Sequence, residues 1–91
     1  MIEAFYDSDA LTLTLCGHAE YAPKGKDIVC AGVSTLVYTL INGCRCEITG
    51  ETVRVKDDRR VYDAVLTGLK MISEKFPKNL RVVPYRTDVL L

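Results

Sequence analysis

His18 and Cys30 are the residues of this sequence best equipped for covalent chemistry. His18 is the only imidazole in the chain, and Cys30 follows it by twelve positions, across a polar stretch that contains Pro23 and Gly25. A thiol whose proton an imidazole can take is a cysteine nucleophile with its base, and the two partners need only meet in space. The residues around Cys30 favour that use. Val29, Val33, Leu36, Val37, Leu40, Ile41 and Cys44 recur at spacings of three and four, which predicts a helix from Ile28 to about Asn42. Asp27 precedes it and is a good N-cap, because its carboxylate can accept amide protons of the first turn. Cys30 is then the third helical residue. Exposed N–H groups and the positive end of the helix dipole lie beside its sulfur, a setting that favours thiolate. The same amides could receive the oxyanion formed when a carbonyl is attacked. Ser34, one turn after Cys30, falls on the same helix face.

Each feature also has a plainer reading. A cysteine in an apolar helix is more often an inert packed side chain than a nucleophile. A lone histidine near a turn is usually a surface or hydrogen-bonded residue, and an aspartate before a helix is most often only a cap.

The chemistry requires elements that bring His18 and Cys30 together. Ile2 to Tyr6 reads as a short strand, and Asp7, Ser8 and Asp9 as a turn. Leu11, Leu13 and Leu15 alternate with Thr12, Thr14 and Cys16, so residues 10–16 form a second, half-buried strand, with His18 just beyond its end. Residues 19–26 are the connecting loop. Tyr21 is its best candidate to close over an apolar substrate, and Gly25 can absorb a hinge motion, which makes the loop a candidate gate. After the first helix, Asn42-Gly43 is a stop, with Gly43 suited to a left-handed C-terminal position. Cys44, Cys46 and Ile48 alternate before Thr49-Gly50-Glu51, and Val53 and Val55 after it, giving a second hairpin. Asp57 or Asp58 caps a second helix whose apolar stripe is Val61, Val65, Leu69, Ile72 and Phe76. Residues 80–86 are a last strand, confined to an edge near Pro84. The order is ββαββαβ. This predicts an α+β fold, a two-layer sandwich with a mostly antiparallel sheet covered by two helices. Gly32 and Gly68 fall inside the helices; either they are tolerated weak points, or they mark close approach of backbones.

Length and composition narrow the function classes. Ninety-one residues suit a single domain, residues 1–91, and 48% apolar content suits a packed one. No apolar run reaches the length of a membrane span, and the acidic N-terminal residues do not resemble a secretion signal, so the four cysteines are expected reduced. Net charge is zero, which argues against a nucleic-acid binder. Residues 1–50 carry −3 and residues 51–91 carry +3.

The two blocks GHA and DIVCAGVS, in that order and separation, resemble the signature of the ribosomal-processing cysteine protease (Prp) family. The resemblance assigns Gly17, His18, Asp27, Cys30 and Ser34 to the family's functional set. It implies a cytoplasmic bacterial endopeptidase with Cys30 as nucleophile and His18 as base, in which Asp27 can also orient His18. It further implies a homodimer that removes a short N-terminal extension from large-subunit ribosomal protein twenty-seven, cutting after a pair of aromatic residues. The partner is then a ribosomal protein precursor, and the chemistry calls for no cofactor or metal.

Two other functions compete. Cys16, His18, Cys44 and Cys46 form a Cys₃His set that zinc accepts, although their spacing is not that of a zinc knuckle. A non-catalytic α+β domain could instead bind a peptide along a sheet edge, with no fixed relation between Cys30 and His18. Thiol redox chemistry is weaker, since there is no C-x-x-C pair.

Overall fold

A computed structural model describes residues 1–18 and 27–86. Tyr21, Gly25 and the gating loop of residues 19–26 lie outside the described residues. The elements are β1 (Ile2–Asp7), β2 (Thr12–Gly17), α1 (Ile28–Gly43), β3 (Cys46–Thr49), β4 (Thr52–Val55), α2 (Arg59–Lys75) and β5 (Leu80–Pro84). This is the ββαββαβ order expected. The five strands form one sheet, ordered β3-β4-β2-β1-β5. Only β1 and β5 are parallel; the other pairs are antiparallel. β5 lies at an edge, where the missing N–H of Pro84 costs no ladder bond.

Local chemistry sets the boundaries. Asp7 Oδ1 accepts the amides of Asp9 and Ala10, and Leu11 takes a positive φ of 56°, so the hairpin turn extends through Leu11 and β2 begins at Thr12 rather than at residue 10. α1 ends at Gly43, within the Asn42-Gly43 stop expected, but not through the left-handed turn expected there. Gly43 is helical, not left-handed, and the helix stops because Cys44 is extended, at φ −154°. The two aspartates before α2 divide the work: Asp58 accepts the Val61 amide, and Asp57 accepts that of Arg45.

The core lies between the sheet and the helices. Ile2, Ala4, Leu13, Val53, Val55 and Leu80 meet Val29, Val33 and Leu40 of α1 and Val65, Leu66 and Leu69 of α2. Tyr62, absent from the expected stripe, is buried as well. Its hydroxyl donates to the Thr12 carbonyl at 2.7 Å, which satisfies its one polar atom. Burial pushes the Tyr62 phenol up to about 12. Val61, Ile72 and Phe76 are only partly buried and flank this core. The mid-helix glycines mark close approach. A Cβ at Gly68 would lie 2.9 Å from Leu36 Cδ2 of α1, and one at Gly32 would lie 3.2 Å from Ile72 Cδ1 of α2. Both open the same α1–α2 contact.

Candidate active site

His18 reaches the site because β2 ends in a backbone bend that only glycine takes easily. Gly17 has φ +87°, and a Cβ on it would run into the Met1 carbonyl oxygen. Gly17 pairs with Ile2 in the sheet, so the end of β2 is pinned against β1 while the chain turns to place His18.

Cys30 is placed by the opposite device, a helix start. Asp27 is the N-cap of α1, and its Oδ1 accepts the amides of Val29 at 2.9 Å and Cys30 at 3.0 Å. Cys30 is therefore the third helical residue, as expected. The same hydrogen bonds correct one part of the reading. The Val29 and Cys30 amides are already engaged by a carboxylate, so they do not stand open for a substrate oxyanion.

The strand end and the helix start converge. A cleft of about 510 Å³ is lined by His18 and Cys30 together, with Gly17 beside them and Ser34 one turn further along α1. His18 is exposed and Cys30 half-buried. Past Ser34 the cleft is walled by Val37, Tyr38 and Ile41 of α1 and by Ile48 of β3. Tyr38 is 65% exposed and Ile48 54%, so this wall is apolar surface that the fold itself leaves uncovered. Tyr38 and Ile41 follow Cys30 by eight and eleven residues, the helical period of one face, which is a signal the sequence does carry. Ile48 and Glu51, which also line the cleft, carry none, since they arrive through long-range strand pairing.

Of the remaining cysteines, Cys16 also lines the cleft, whereas Cys44 and Cys46 lie elsewhere. Cys44 and Cys46 have their sulfurs 3.6 Å apart, and both thiols donate to the Leu40 carbonyl. Burial first, then the neighbouring Cys46 thiol, pushes Cys44 up to about 11. Among the described residues, no group of three or more histidine, cysteine or acidic side chains is gathered where it could hold a metal ion, so the Cys₃His set is not assembled.

The chain is similar to known proteins in sequence and in fold. The family model for cysteine protease Prp matches residues 1–81. Over 41 residues the chain is 39% identical to the ribosomal processing cysteine protease Prp of Bacillus subtilis (strain 168), an alignment that spans 45% of this chain and 37% of that relative. The fold is similar to that of an essential ribosomal processing protease Prp from S. aureus in complex with a covalently linked product peptide, with TM-score 0.72 and 21% identity over 92% of this chain and 97% of that one. It also resembles a protein from Streptococcus mutans, with TM-score 0.66 and 23% identity over 93% of this chain and 96% of that one. The S. aureus protease in complex with a substrate peptide has TM-score 0.66 and 20% identity over 93% of this chain and 100% of that one.

Proposed function

Because this chain belongs to the Prp family of cysteine proteases, we propose that it is a cysteine endopeptidase of ribosomal protein maturation. It is a single protease domain that removes the N-terminal extension of large-subunit ribosomal protein twenty-seven, in the cytoplasm and as a homodimer. The observation that carries this reading is the shared cleft. The only imidazole of the chain and a helix-start thiol line one cavity with an apolar wall. The S. aureus relative, which holds a covalently linked product peptide, supports it.

The chemistry follows from the two side chains. His18 accepts the Cys30 thiol proton, and the sulfur attacks the scissile carbonyl carbon. The carbon–nitrogen bond breaks as the imidazolium gives that proton to the leaving amine, and the acyl fragment remains as a thioester on Cys30. Water then loses a proton to His18 and attacks the thioester. The carboxylic acid leaves, and the sulfur regains its proton. Asp27 fixes the start of α1 and so the position of Cys30. Ser34 lines the cleft, which supports a hydrogen-bonding role there. The exposed side chains of Tyr38 and Ile48 receive apolar residues of the peptide.

The test is incubation with the extended ribosomal protein, followed by intact-mass analysis. Two products whose masses sum to the precursor plus one water support the reading. An intact precursor, in the presence of protein shown to be folded, rejects it.

A further inference from the structure

The cleft that holds Cys30 and His18 is apolar along α1 and β3, but its mouth carries one acid. Among the described residues that line it, Glu51 is the only carboxylate. It lies in the β3–β4 turn, just before β4, and its position is fixed by the sheet. Leu13 pairs with Val53 and Thr14 with Thr52, and the Leu15 amide donates to the Glu51 carbonyl at 3.2 Å, so Glu51 lies opposite Leu15. Side chains alternate along strands, which puts Leu15 and Glu51 on the face of buried Leu13 and Val53, the cleft face. β4 is antiparallel to β2, so the β3–β4 turn lies at the end of the sheet where β2 delivers His18. The carboxylate is therefore at the reacting end of the cleft, one strand away from the imidazole.

Its charge is not used by the fold. Among the described residues Glu3 pairs with Arg81 and Glu47 with Lys56, whereas Glu51 forms no ion pair. Its side chain is exposed, and it is not needed to balance a buried cation. A lone carboxylate at the rim of an apolar groove attracts cations and repels acids.

We propose that Glu51 is a specificity residue, which selects peptides carrying a lysine or arginine next to the scissile bond, beside the apolar residues taken by the α1–β3 wall. The inference rests on the peptidase reading and names the substrate class of that same site. Its size is bounded. Exposed ion pairs are weak, so the preference for lysine over glutamine is roughly threefold. It shrinks as salt is raised from about 0.05 M to about 0.5 M, because screening acts directly on exposed charges.

Binding separates this inference from the reaction. A short apolar peptide is made with Lys, Gln or Glu at each position near its centre. Affinity is measured by fluorescence anisotropy on Cys30→Ser protein with and without Glu51→Gln or Glu51→Lys. Cleavage of the same peptides is measured with Cys30 intact, and circular dichroism checks that each variant is folded. The expected result is a lysine preference at positions beside the cut, brought to about one by Glu51→Gln and reversed in favour of Glu by Glu51→Lys. A preference that survives Glu51→Gln overturns the proposal. So does an equal loss for Lys and Gln peptides, which assigns Glu51 to shaping the site rather than to reading charge. If the lysine preference in binding is present and no peptide is cut, the peptidase reading fails while the role of Glu51 stands.

Discussion

The carboxylate of Asp27 accepts the backbone N–H of Cys30 at 3.0 Å, so the residue that starts the helix also fixes the sulfur-bearing residue within it. The bond satisfies an amide that would otherwise lack a partner at the helix end. Replacing Asp27 with alanine removes it together with the Val29 bond. The expected cost is about 1 kcal/mol, with a fall in melting temperature of roughly 4–8 °C for a domain of this size. Asp27→Asn keeps an acceptor oxygen and recovers most of the loss. Thermal unfolding of the three proteins measures this; an alanine variant as stable as the parent shows that the cap contributes nothing.

Gly17→Ala is expected to be far more harmful than an ordinary surface substitution. Its φ of +87° is costly for any residue with a Cβ, and that atom meets the Met1 carbonyl oxygen. The strain is of order 1–3 kcal/mol, and relieving it moves the segment that carries His18. Peptidase activity should fall more than the loss of stability explains. Urea unfolding and cleavage rates compared on the same variant would reveal it; an unchanged rate means that the bend does not position the histidine.

Tyr62 makes a prediction in alkaline solution. Its phenol is held at about 12 by burial, against 10.0 ordinarily. As pH rises above about 10 the unfolded chain loses this proton first, so the stabilisation present below that pH is lost progressively up to about 12. The slope from this group is roughly 1.4 kcal/mol per pH unit inside the window. Tyr62→Phe removes the hydrogen bond to the Thr12 carbonyl, and costs about 1–2 kcal/mol at neutral pH. The gap between the parent and Tyr62→Phe should therefore narrow by about 1.4 kcal/mol between roughly pH 8 and pH 11. Urea titrations at the two pH values decide it, and a constant gap contradicts the buried-phenol account.

Cys30 and Cys44 should label unequally. Cys30 lines an open cleft. The Cys44 thiol is pushed up to about 11 and is hydrogen-bonded to Leu40, so very little of it is thiolate at neutral pH. Brief alkylation near neutral pH, followed by peptide mapping, should find the label on Cys30 before Cys44. Equal labelling of the two would remove the chemical distinction between them.

Most of the fold was legible because it rests on short-range signals. The apolar spacing in the first helix, the cap Asp27 and the aspartate pair Asp57-Asp58 each gave a helix or its start. Asn42-Gly43 gave the end of α1, although Gly43 stays helical rather than turning left-handed. The other misreadings depended on partners distant in sequence. Tyr62 did not fit the expected stripe because a hydroxyl looks exposed until Thr12 is seen to receive it. At the site, His18, Cys30 and Ser34 could be named from local pattern. That the Val29 and Cys30 amides are taken by Asp27 could not, since the cap and the oxyanion reading call on the same N–H groups. Ile48 and Glu51 enter through the pairing of β3 with β4 and of β4 with β2, which no local pattern encodes.

The central claim is that Cys30 and His18 act as one catalytic unit within a single cleft. The most direct measurement is kcat/KM for the extended ribosomal protein with Cys30→Ala, His18→Ala and the double variant, each checked for folding by circular dichroism. The account predicts that each single variant is folded and loses at least about 10³-fold in rate. It also predicts that the double variant is little worse than either, because removing one member already disables the pair. A folded Cys30→Ala protein that still cleaves the precursor at a comparable rate would contradict it.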